Sequence, residues 1–330
     1  MDPSPFLPAP SRLVHERGIP AFGMYQGTVD ALSWQPLTLS PWHRLTRKLH
    51  HKRWQYAAFA HDNYFIGVAV VDLGWCSTAF AYLFDRQQRK VTASFSADGL
   101  PGLSAKIEDR AFGHARFCAG GGKLVFTREA GRMLLEVRTP ALRMAAHITL
   151  NPDVPTLCAI APANHLAHST HKSGGLAVSG YADTNGSRYS LDGAIASLDA
   201  SNGLLARHTA WRWASAHNHE LGFNLQDGYM GDAENAIWLH GKLLRVGKVR
   251  FDYLPADPMA PWHIHSDDGL VDLRFTPEGM RSENKNLLIA ASRYVQPIGT
   301  FSGVLLDPAS GARHIVNALT GVTEDHASHW

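Results

Sequence analysis

Residues 52–73 read KRWQYAAFAHDNYFIGVAVVDL. In residues 53–60 the side chains fall into two alternating sets, which is the pattern of a β-strand with two different faces. The segment HDN at residues 61–63 supplies turn chemistry. Residues 64–73 are β-branched and aromatic with little polar alternation, as in a strand covered on both sides. The stretch predicts a β-hairpin inside a sheet.

The same rhythm continues along the chain, with further strands predicted at residues 78–84 and 90–95. Tight hairpins need residues that tolerate positive φ, which Asn-Gly and Asp-Gly pairs provide. Such pairs occur at Asp98-Gly99, Asn185-Gly186, Asp192-Gly193, Asn202-Gly203, Asp227-Gly228 and Asp268-Gly269. Sustained helical periodicity with caps is scarce. An all-β, antiparallel protein is predicted.

A proline-rich segment, NPDVP at residues 151–155, indicates a junction between two β-rich halves. Residues 1–160 are predicted to form one half, with an extended proline- and glycine-rich N-terminal arm. Residues 161–330 are predicted to form the other half and to carry the functional site. Each half is expected to be a β barrel or sandwich, and the two are expected to pack into one body.

Composition describes a globular chain, since 45% of its 330 residues are hydrophobic and 18% are charged. The net charge of +2 gives no support for a nucleic-acid partner. The main cationic run is RLTRKLHHKR at residues 44–53. We interpret it as a solvated loop, with contact to an anionic ligand or a membrane as the alternative.

Cysteine spacing and hydropathy suggest a reduced compartment. Cys76, Cys118 and Cys158 are far apart and form neither a CxxC pair nor a disulfide framework. The N-terminal sequence is acidic and proline-rich where a secretion signal would be basic and then apolar. No run of about 18 apolar residues could span a bilayer. We expect a cytoplasmic protein without an integral membrane segment, and its oligomeric state stays open.

Residues 211–241 concentrate polar groups in strand-like sequence. Trp211 and Trp213 share one strand face and Arg212 takes the other. A polar group in an apolar strand costs about 1 to 3 kcal/mol unless it is paired. The concentration indicates a functional site, and the alternative is a satisfied structural network at a barrel end.

Glu234 is the best candidate for a general acid in this region. It shares a predicted strand face with Trp238, and burial there would raise its pKa. A salt bridge, for example to Arg212, is the structural alternative. His217 or His219 could relay protons. The remaining candidates are proposed ligand-binding residues: Trp211, Arg212, Trp213, Asn218, Asn224, Trp238 and Trp262. Glu324 and Asp325 are interpreted as closing a barrel end, with lining of the cavity as the alternative.

Two His-x-His pairs, His217 with His219 and His263 with His265, would each place both imidazoles on one strand face. This is a metal-binding geometry. However, neither pair is accompanied by a carboxylate at a fixed spacing. We therefore predict no metal and no cofactor.

Several motifs resemble a bacterial family known as domain of unknown function 2804. They are GMYQG (23–27), KRWQY (52–56), DLG (72–74), WRWAS (211–215), ENA (234–236), PW (261–262), VDLRF (271–275) and GVTED (321–325). That family is distantly similar to carotenoid hydratases and to tocopherol-cyclase-like and other lipocalin-like proteins. The resemblance implies a pair of lipocalin-like barrels and a lipophilic small-molecule ligand. It implies no particular reaction, because one fold hosts many functions.

Three functions remain open at this point. The first is a cofactor-independent hydratase, cyclase or isomerase that acts on an isoprenoid or another lipophilic substrate. Protonating an alkene makes a carbocation, so that chemistry needs a protonated carboxyl group and aromatic faces. The second is a non-catalytic binding protein for an apolar molecule. The third is carbohydrate recognition by stacked tryptophans.

Overall fold

The computed structural model describes residues 6–163, 166–287 and 290–329. The regular secondary structure of this part of the chain is almost entirely β-strand, which confirms the all-β prediction. The strands are β1 (Leu7–Pro8), β2 (Gly23–Gln26), β3 (His51–Ala60), β4 (Tyr64–Asp72), β5 (Ser77–Asp85), β6 (Lys90–Gly99), β7 (Ala105–Ile107), β8 (Ala115–Ala119), β9 (Gly122–Glu129), β10 (Arg132–Arg138), β11 (Leu142–Thr149), β12 (Leu157–Ala163), β13 (Leu166–Thr184), β14 (Ser187–Ser190), β15 (Ile195–Leu204), β16 (His208–His217), β17 (Leu221–Gly228), β18 (Ala236–Leu239), β19 (Lys242–Arg245), β20 (Val249–Asp252), β21 (Trp262–Ser266), β22 (Val271–Leu287), β23 (Ala290–Leu306) and β24 (Arg313–His329). The helix α1 spans Pro41–His50.

The first sheet contains β1 to β15 and curls into a nearly closed barrel. Its main path runs β6-β5-β4-β3-β15-β13-β11-β10-β9-β8-β7. The predicted hairpin is β3 and β4, whose pairing reaches Ala60 and Phe65 on either side of the turn. Alternate side chains of these strands fill the barrel with a buried apolar core that includes Phe59, Ile66 and Phe126.

The second sheet contains β16 to β24 in the order β19-β18-β17-β16-β24-β23-β22-β21-β20 and forms a half-barrel. Its own core includes Phe223, Trp262, Phe275 and Phe301. The prediction of two packed antiparallel β units of the lipocalin-like kind is thus confirmed, with a nearly closed barrel as the first unit and a half-barrel as the second.

The change from the first sheet to the second falls between Leu204 and His208, later than the division at residues 160 and 161 expected from the sequence. The proline-rich segment at residues 151–155 is a connection inside the first sheet, between β11 and β12. After it, β13 pairs with β11 and β15 pairs with β3. These pairings keep residues 166–204 in the first sheet.

A bend in β13 allows the two parts of this long strand to contact different regions of the protein. The register with β15 shifts between Ser173 and Leu176, and Gly175 between them has a φ of 72°. Such a backbone is strained for a side chain with a Cβ. Leu176 and Val178 beyond the bend enter the barrel core, whereas Lys172 before it faces the second sheet.

The outer face of β3 to β5 packs against the second sheet. An apolar cluster between the sheets joins Tyr56, Phe65 and Tyr82 to Trp213 and Ile298. Strand β4 is therefore buried on both of its faces, which explains its continuous apolar sequence.

The turn predictions hold at Asn185-Gly186, Asp192-Gly193 and Asp268-Gly269, whose glycines have φ values of 98°, 82° and 73°. The other three pairs are not turns, because Asp98-Gly99 and Asp227-Gly228 end strands β6 and β17 and Asn202-Gly203 lies inside β15. The Asn202 amide donates to the carbonyl oxygen of Leu32 at 2.9 Å, which ties β15 to the N-terminal arm.

Residues 41–50 form a helix rather than the expected solvated loop. The hydroxyl of Ser40 accepts a hydrogen bond from the backbone N–H of His43 at 3.2 Å, and Pro41 occupies the first helical turn. Both are favoured at helix starts. No helix in the described ranges is long and apolar enough to cross a membrane.

Candidate active site

A cavity of about 140 Å³ lies between the two sheets. The register of the first sheet builds one wall, because Trp54 pairs with Val71 and Ser201. The second sheet builds the opposite wall from β16, β23 and β24. Seven aromatic side chains line the space: Trp54, Tyr56, Phe80, Trp211, Trp213, Tyr229 and Tyr294. The result is an aromatic chamber between the barrels.

Three ionisable side chains meet in this chamber. Lys172 on β13 is the direct cross-strand neighbour of Asp199 on β15. The Lys172 Nζ atom lies 2.5 Å from Asp199 Oδ2 and 3.4 Å from Glu234 Oε2. All three residues are buried. One cation therefore faces two carboxyl groups in a site shielded from water.

The two carboxyl groups differ in their surroundings. Asp199 also accepts hydrogen bonds from Ser201 Oγ at 3.2 Å and from Thr170 Oγ1 at 3.4 Å. Burial raises the pKa of Glu234, an effect that Lys172 opposes and Asp199 reinforces. Burial also lowers the pKa of Lys172, but the neighbouring carboxylates more than offset this and leave it raised. The group therefore holds a cationic lysine and, on Glu234, a carboxyl group that retains its proton more readily than usual.

A series of hydrogen bonds between side chains fixes Glu324 in the opposite wall. The indole of Trp211 donates to Glu324 Oε1 at 2.8 Å, and the Gln296 amide donates to Glu324 Oε2 at 3.2 Å. The hydroxyl of Tyr82 donates in turn to Gln296. Glu324 thus lines the cavity, which was the less favoured of its two sequence interpretations. Asp325 instead pairs with Arg293 at 2.6 Å.

His168 contributes a neutral imidazole. Burial, followed by the charges of Lys172 and a nearby histidine, lowers its pKa to about 3. Its ring contacts Trp54 in a tilted arrangement, with 5.3 Å between centroids, and lies close to the hydroxyl of Tyr229. Gly203 makes room for the ring, because a Cβ there would lie 2.2 Å from His168 Nδ1.

Three predicted residues line the cavity together: Trp211, Trp213 and Glu234. Asn224 supports them from behind. Its amide donates to the backbone oxygen of Glu234 at 2.9 Å, and its side-chain oxygen accepts from the Trp213 indole at 2.8 Å. Arg212 projects from the other strand face and pairs with Asp227 at 3.0 Å. The cation beside Glu234 is therefore Lys172 and not Arg212.

His217 borders a smaller cavity of about 30 Å³ that shares Lys172 and Asp199 with the aromatic chamber. This volume is about the share of one water molecule in the liquid. Burial lowers the pKa of His217 to about 3. Its ring contacts Trp238 at a centroid distance of 5.0 Å, and the Trp238 indole donates to the carbonyl oxygen of Pro155 at 2.7 Å.

The remaining predicted residues lie away from the chamber. Asn218 and His219 are exposed in the turn after β16. The side chain of Asn218 accepts the backbone N–H of Leu221 at 2.8 Å and so organises that turn. Trp262 is fully buried in the core of the second sheet, where it stacks on Tyr253 at 3.8 Å.

Sequence reasoning missed Lys172, Asp199 and His168. They lie on strands that are distant in sequence from residues 211–241, and only the pairing of β13 with β15 brings them together. One signal was available, since residues 168–173 read HSTHKS, a polar run inside a strand.

The side chains of Asp252, His263 and His265 form the group best arranged to hold a metal ion within the described ranges. One ligand atom from each lies within 4.8 Å of the others. Asp252 is the cross-strand neighbour of His263, so strand pairing supplies the carboxylate that the spacing did not show. His263 Nε2 lies 2.8 Å from Asp272 Oδ1. The group is largely exposed and does not line the chamber.

Two antiparallel barrels that enclose a polar-ended aromatic cavity define a paired-barrel, lipocalin-like protein. The chain belongs to the family described as Domain of unknown function (DUF2804), whose model matches residues 7–330. The resemblance noted in the sequence is thereby confirmed.

Solved structures show the same fold at low identity. A Nitrosomonas europaea protein described as an AttH matches with a TM-score of 0.52 and 12% identity, covering 83% of this chain and 92% of its own. Kievitone hydratase from Nectria haematococca matches with a TM-score of 0.51 and 9% identity, covering 84% of this chain and 88% of its own. No curated protein matches the sequence.

Proposed function

We propose that this protein is an acid/base enzyme of the hydratase or cyclase type, and that it acts on a lipophilic alkene in the aromatic chamber. The observation that carries the proposal is the environment of Glu234. Its carboxyl group is buried in an aromatic-walled cavity beside Lys172 and Asp199, which already balance each other's charge. A protonated carboxyl group in such a setting is suited to donate a proton.

Charge balance supports the assignment of the proton to Glu234. Lys172 approaches Asp199 more closely, and Asp199 has two hydroxyl donors as well. A second ionised carboxylate at this site would leave excess negative charge in a medium of low dielectric. We therefore assign the proton to the Glu234 carboxyl group, whose pKa is raised by burial.

The proposed reaction begins when Glu234 transfers its proton to one alkene carbon, which leaves a carbocation on the other carbon. The π faces of Trp211, Trp213 and Tyr294 stabilise that positive charge. In a hydration, a water molecule adds to the cation and its released proton returns to the Glu234 carboxylate. In a cyclisation, an internal nucleophile replaces the water.

The size of the chamber bounds the reacting group. An apolar cavity of about 150 Å³ accommodates a benzene-sized molecule, and the chamber measures about 140 Å³. It therefore suits one ring or one isoprene-sized unit, with the remainder of a longer substrate outside. The fold shared with kievitone hydratase is compatible with hydration, although one fold hosts many reactions.

The test uses a panel of isoprenoid alkenes and prenylated phenols incubated with the protein in deuterium oxide. Products are analysed for the mass of one added water and for a deuterium on carbon. We expect Glu234→Gln to lower turnover by about 100-fold or more, because it keeps the shape of the side chain but removes the transferable proton. Glu220→Gln, an exposed change in the preceding turn between β16 and β17, serves as the matched control. Full activity in Glu234→Gln would exclude Glu234 as the acid.

A non-catalytic carrier of an apolar ligand is the second candidate. It is favoured by the chain of Tyr82, Gln296, Glu324 and Trp211, whose polar atoms bond to one another and leave aromatic surface for a ligand. Mass spectrometry of molecules that co-purify with the protein distinguishes the two, since a carrier releases its ligand unchanged. The largely aromatic lining of the chamber disfavours carbohydrate recognition, which needs many free donors and acceptors.

A further inference from the structure

Helix α1 has no buried residue. Trp42, Leu45 and Leu49 are 67%, 80% and 56% exposed. Their spacing places them on one face of the helix. The helix therefore presents a continuous apolar stripe to the solvent, which is uncommon on a soluble surface.

The opposite, polar face of α1 contacts the body of the protein. The rings of His43 and His50 meet there with 5.9 Å between their centroids. His50 Nδ1 lies 2.9 Å from the carbonyl oxygen of Leu205, at the end of the first sheet. The helix is thus oriented in the reverse of the usual sense, in which the apolar side faces the core.

The charge of α1 is entirely positive. Arg44 and Lys48 are exposed on one side of the apolar stripe, whereas Arg47 lies on the half-buried side of the helix. The helix contains no Asp or Glu. Within residues 6–163, 166–287 and 290–329, none of these three cations lies within ion-pair distance of a carboxylate. An apolar stripe bordered by cations is the pattern of helices that lie in the interface of an anionic membrane.

The position of α1 connects it with the cavity. The helix continues directly into β3, where Trp54 lines the chamber. Lys52 Nζ donates to the carbonyl oxygens of Leu49 at 2.5 Å and Leu73 at 2.8 Å, which fixes the last helical turn to the end of β4. Val71 near that end also lines the chamber. The helix and one end of the chamber therefore share an end of the sheet.

We propose that α1 docks the protein on an anionic lipid surface, with its apolar stripe among the acyl chains and its cations beside the headgroups. A lipid surface is a better occupant than a second copy of the chain. A symmetric contact through α1 would bring the exposed Arg44 and Lys48 of both copies close together, which is unfavourable. The docking of α1 on lipid does not depend on the proposed function. Only the further step, in which docking delivers substrate from the membrane to the chamber, rests on it.

The test is cosedimentation of the protein with vesicles of equal parts phosphatidylcholine and phosphatidylglycerol, without any substrate. We expect Trp42→Ser/Leu45→Ser to lower the vesicle partition coefficient by about ten-fold or more, because it removes the inserted side chains. Arg44→Gln/Lys48→Gln should lower it by about five-fold for each cation, and added salt should weaken binding of the parent. On pure phosphatidylcholine the charge variant should match the parent.

Matched control variants remove the same kinds of exposed side chain from surfaces outside α1. Leu254→Ser/Ile315→Ser changes two side chains that are 60% and 65% exposed, and Arg116→Gln/Lys123→Gln removes two exposed cations of the first sheet. Both should sediment like the parent. Failure of the parent to bind anionic vesicles, or equal losses in the controls, would overturn the proposal. So would a dimer in analytical ultracentrifugation that Trp42→Ser/Leu45→Ser dissociates, because a second copy would then cover the stripe. No arm uses substrate, so a failure of the catalytic proposal leaves this result unaffected.

Discussion

The Glu234 carboxyl group has a raised pKa because burial disfavours its ionised form, and its effect on stability has a definite sign. Above the ordinary value of 4.5, the unfolded chain releases this proton while the folded chain retains it. The stability of the parent should therefore fall as pH rises through that window. Glu234→Gln lacks the proton, so its stability relative to the parent should increase with pH. Urea unfolding at a series of pH values measures this difference. If the stability of the variant relative to the parent instead decreased at high pH, the result would indicate an ionised Glu234 paired with Lys172.

His217 gives the opposite pH dependence. Its pKa falls from 6.5 to about 3 on burial, so below pH 6.5 the unfolded chain binds a proton that the folded chain excludes. Stability should be lost as pH falls towards 3, by up to about 1.4 kcal/mol per pH unit for this group. We expect His217→Gln to reduce the slope of stability against pH by that amount. His219→Gln, at an exposed position two residues away, should leave the slope unchanged. Equal slopes in parent and His217→Gln would contradict burial of the neutral ring.

The alternation of side chains along a strand identified part of the candidate site. It correctly separated Trp211 and Trp213 from Arg212, because alternate residues face opposite sides. It did not place Trp262 in the core, since a tryptophan has the same local pattern in a core and in a cavity wall. Lys172 was missed because its partners come from other strands.

The pairing of β13 with β15 sets the next prediction. Lys172 and Asp199 face each other across these strands, with side chains 9% and 12% exposed. Lys172→Met should destabilise the fold by about 3 to 5 kcal/mol, because it leaves Asp199 charged and buried without its cation. Adding Asp199→Asn should restore much of that loss. Chemical denaturation of the parent, both single variants and the double variant measures the coupling. Additive losses would show that the two side chains do not depend on each other.

Helix α1 was not predicted from the sequence, although its signals were present. The charge-rich run at residues 44–53 concealed a stripe of Trp42, Leu45 and Leu49 with helical spacing. Ser40 and Pro41 were standard start signals. The helix was missed because it is short and because its apolar side chains face solvent.

The fold class of the molecule could be predicted from short sequence patterns, whereas the boundary between the two sheets could not. Paired glycine turns and period-two runs occur within a few residues of one another and can be recognised locally. The membership of β13 to β15 in the first sheet depends on pairing with β3 and β11. Those contacts join segments more than a hundred residues apart in the case of β3 and β15, and the proline-rich connection at residues 151–155 has no influence on them.

The position of the exposed histidine group, away from the chamber, determines the expected effect of a chelator. The exposed group of Asp252, His263 and His265 lies on β20 and β21, and β22 separates it from the cavity-lining strand β23. His263 and His265 already have carboxylate partners at 2.8 and 3.1 Å, so a metal ion would have to displace existing contacts. We expect treatment with EDTA to leave both the melting temperature and the activity or ligand retention of the chamber unchanged. Elemental analysis of protein purified without an affinity tag provides the complementary measurement. One equivalent of zinc or iron that disappears in His263→Ala/His265→Ala, together with loss of activity, would make the second barrel the catalytic one and displace Glu234 from the mechanism.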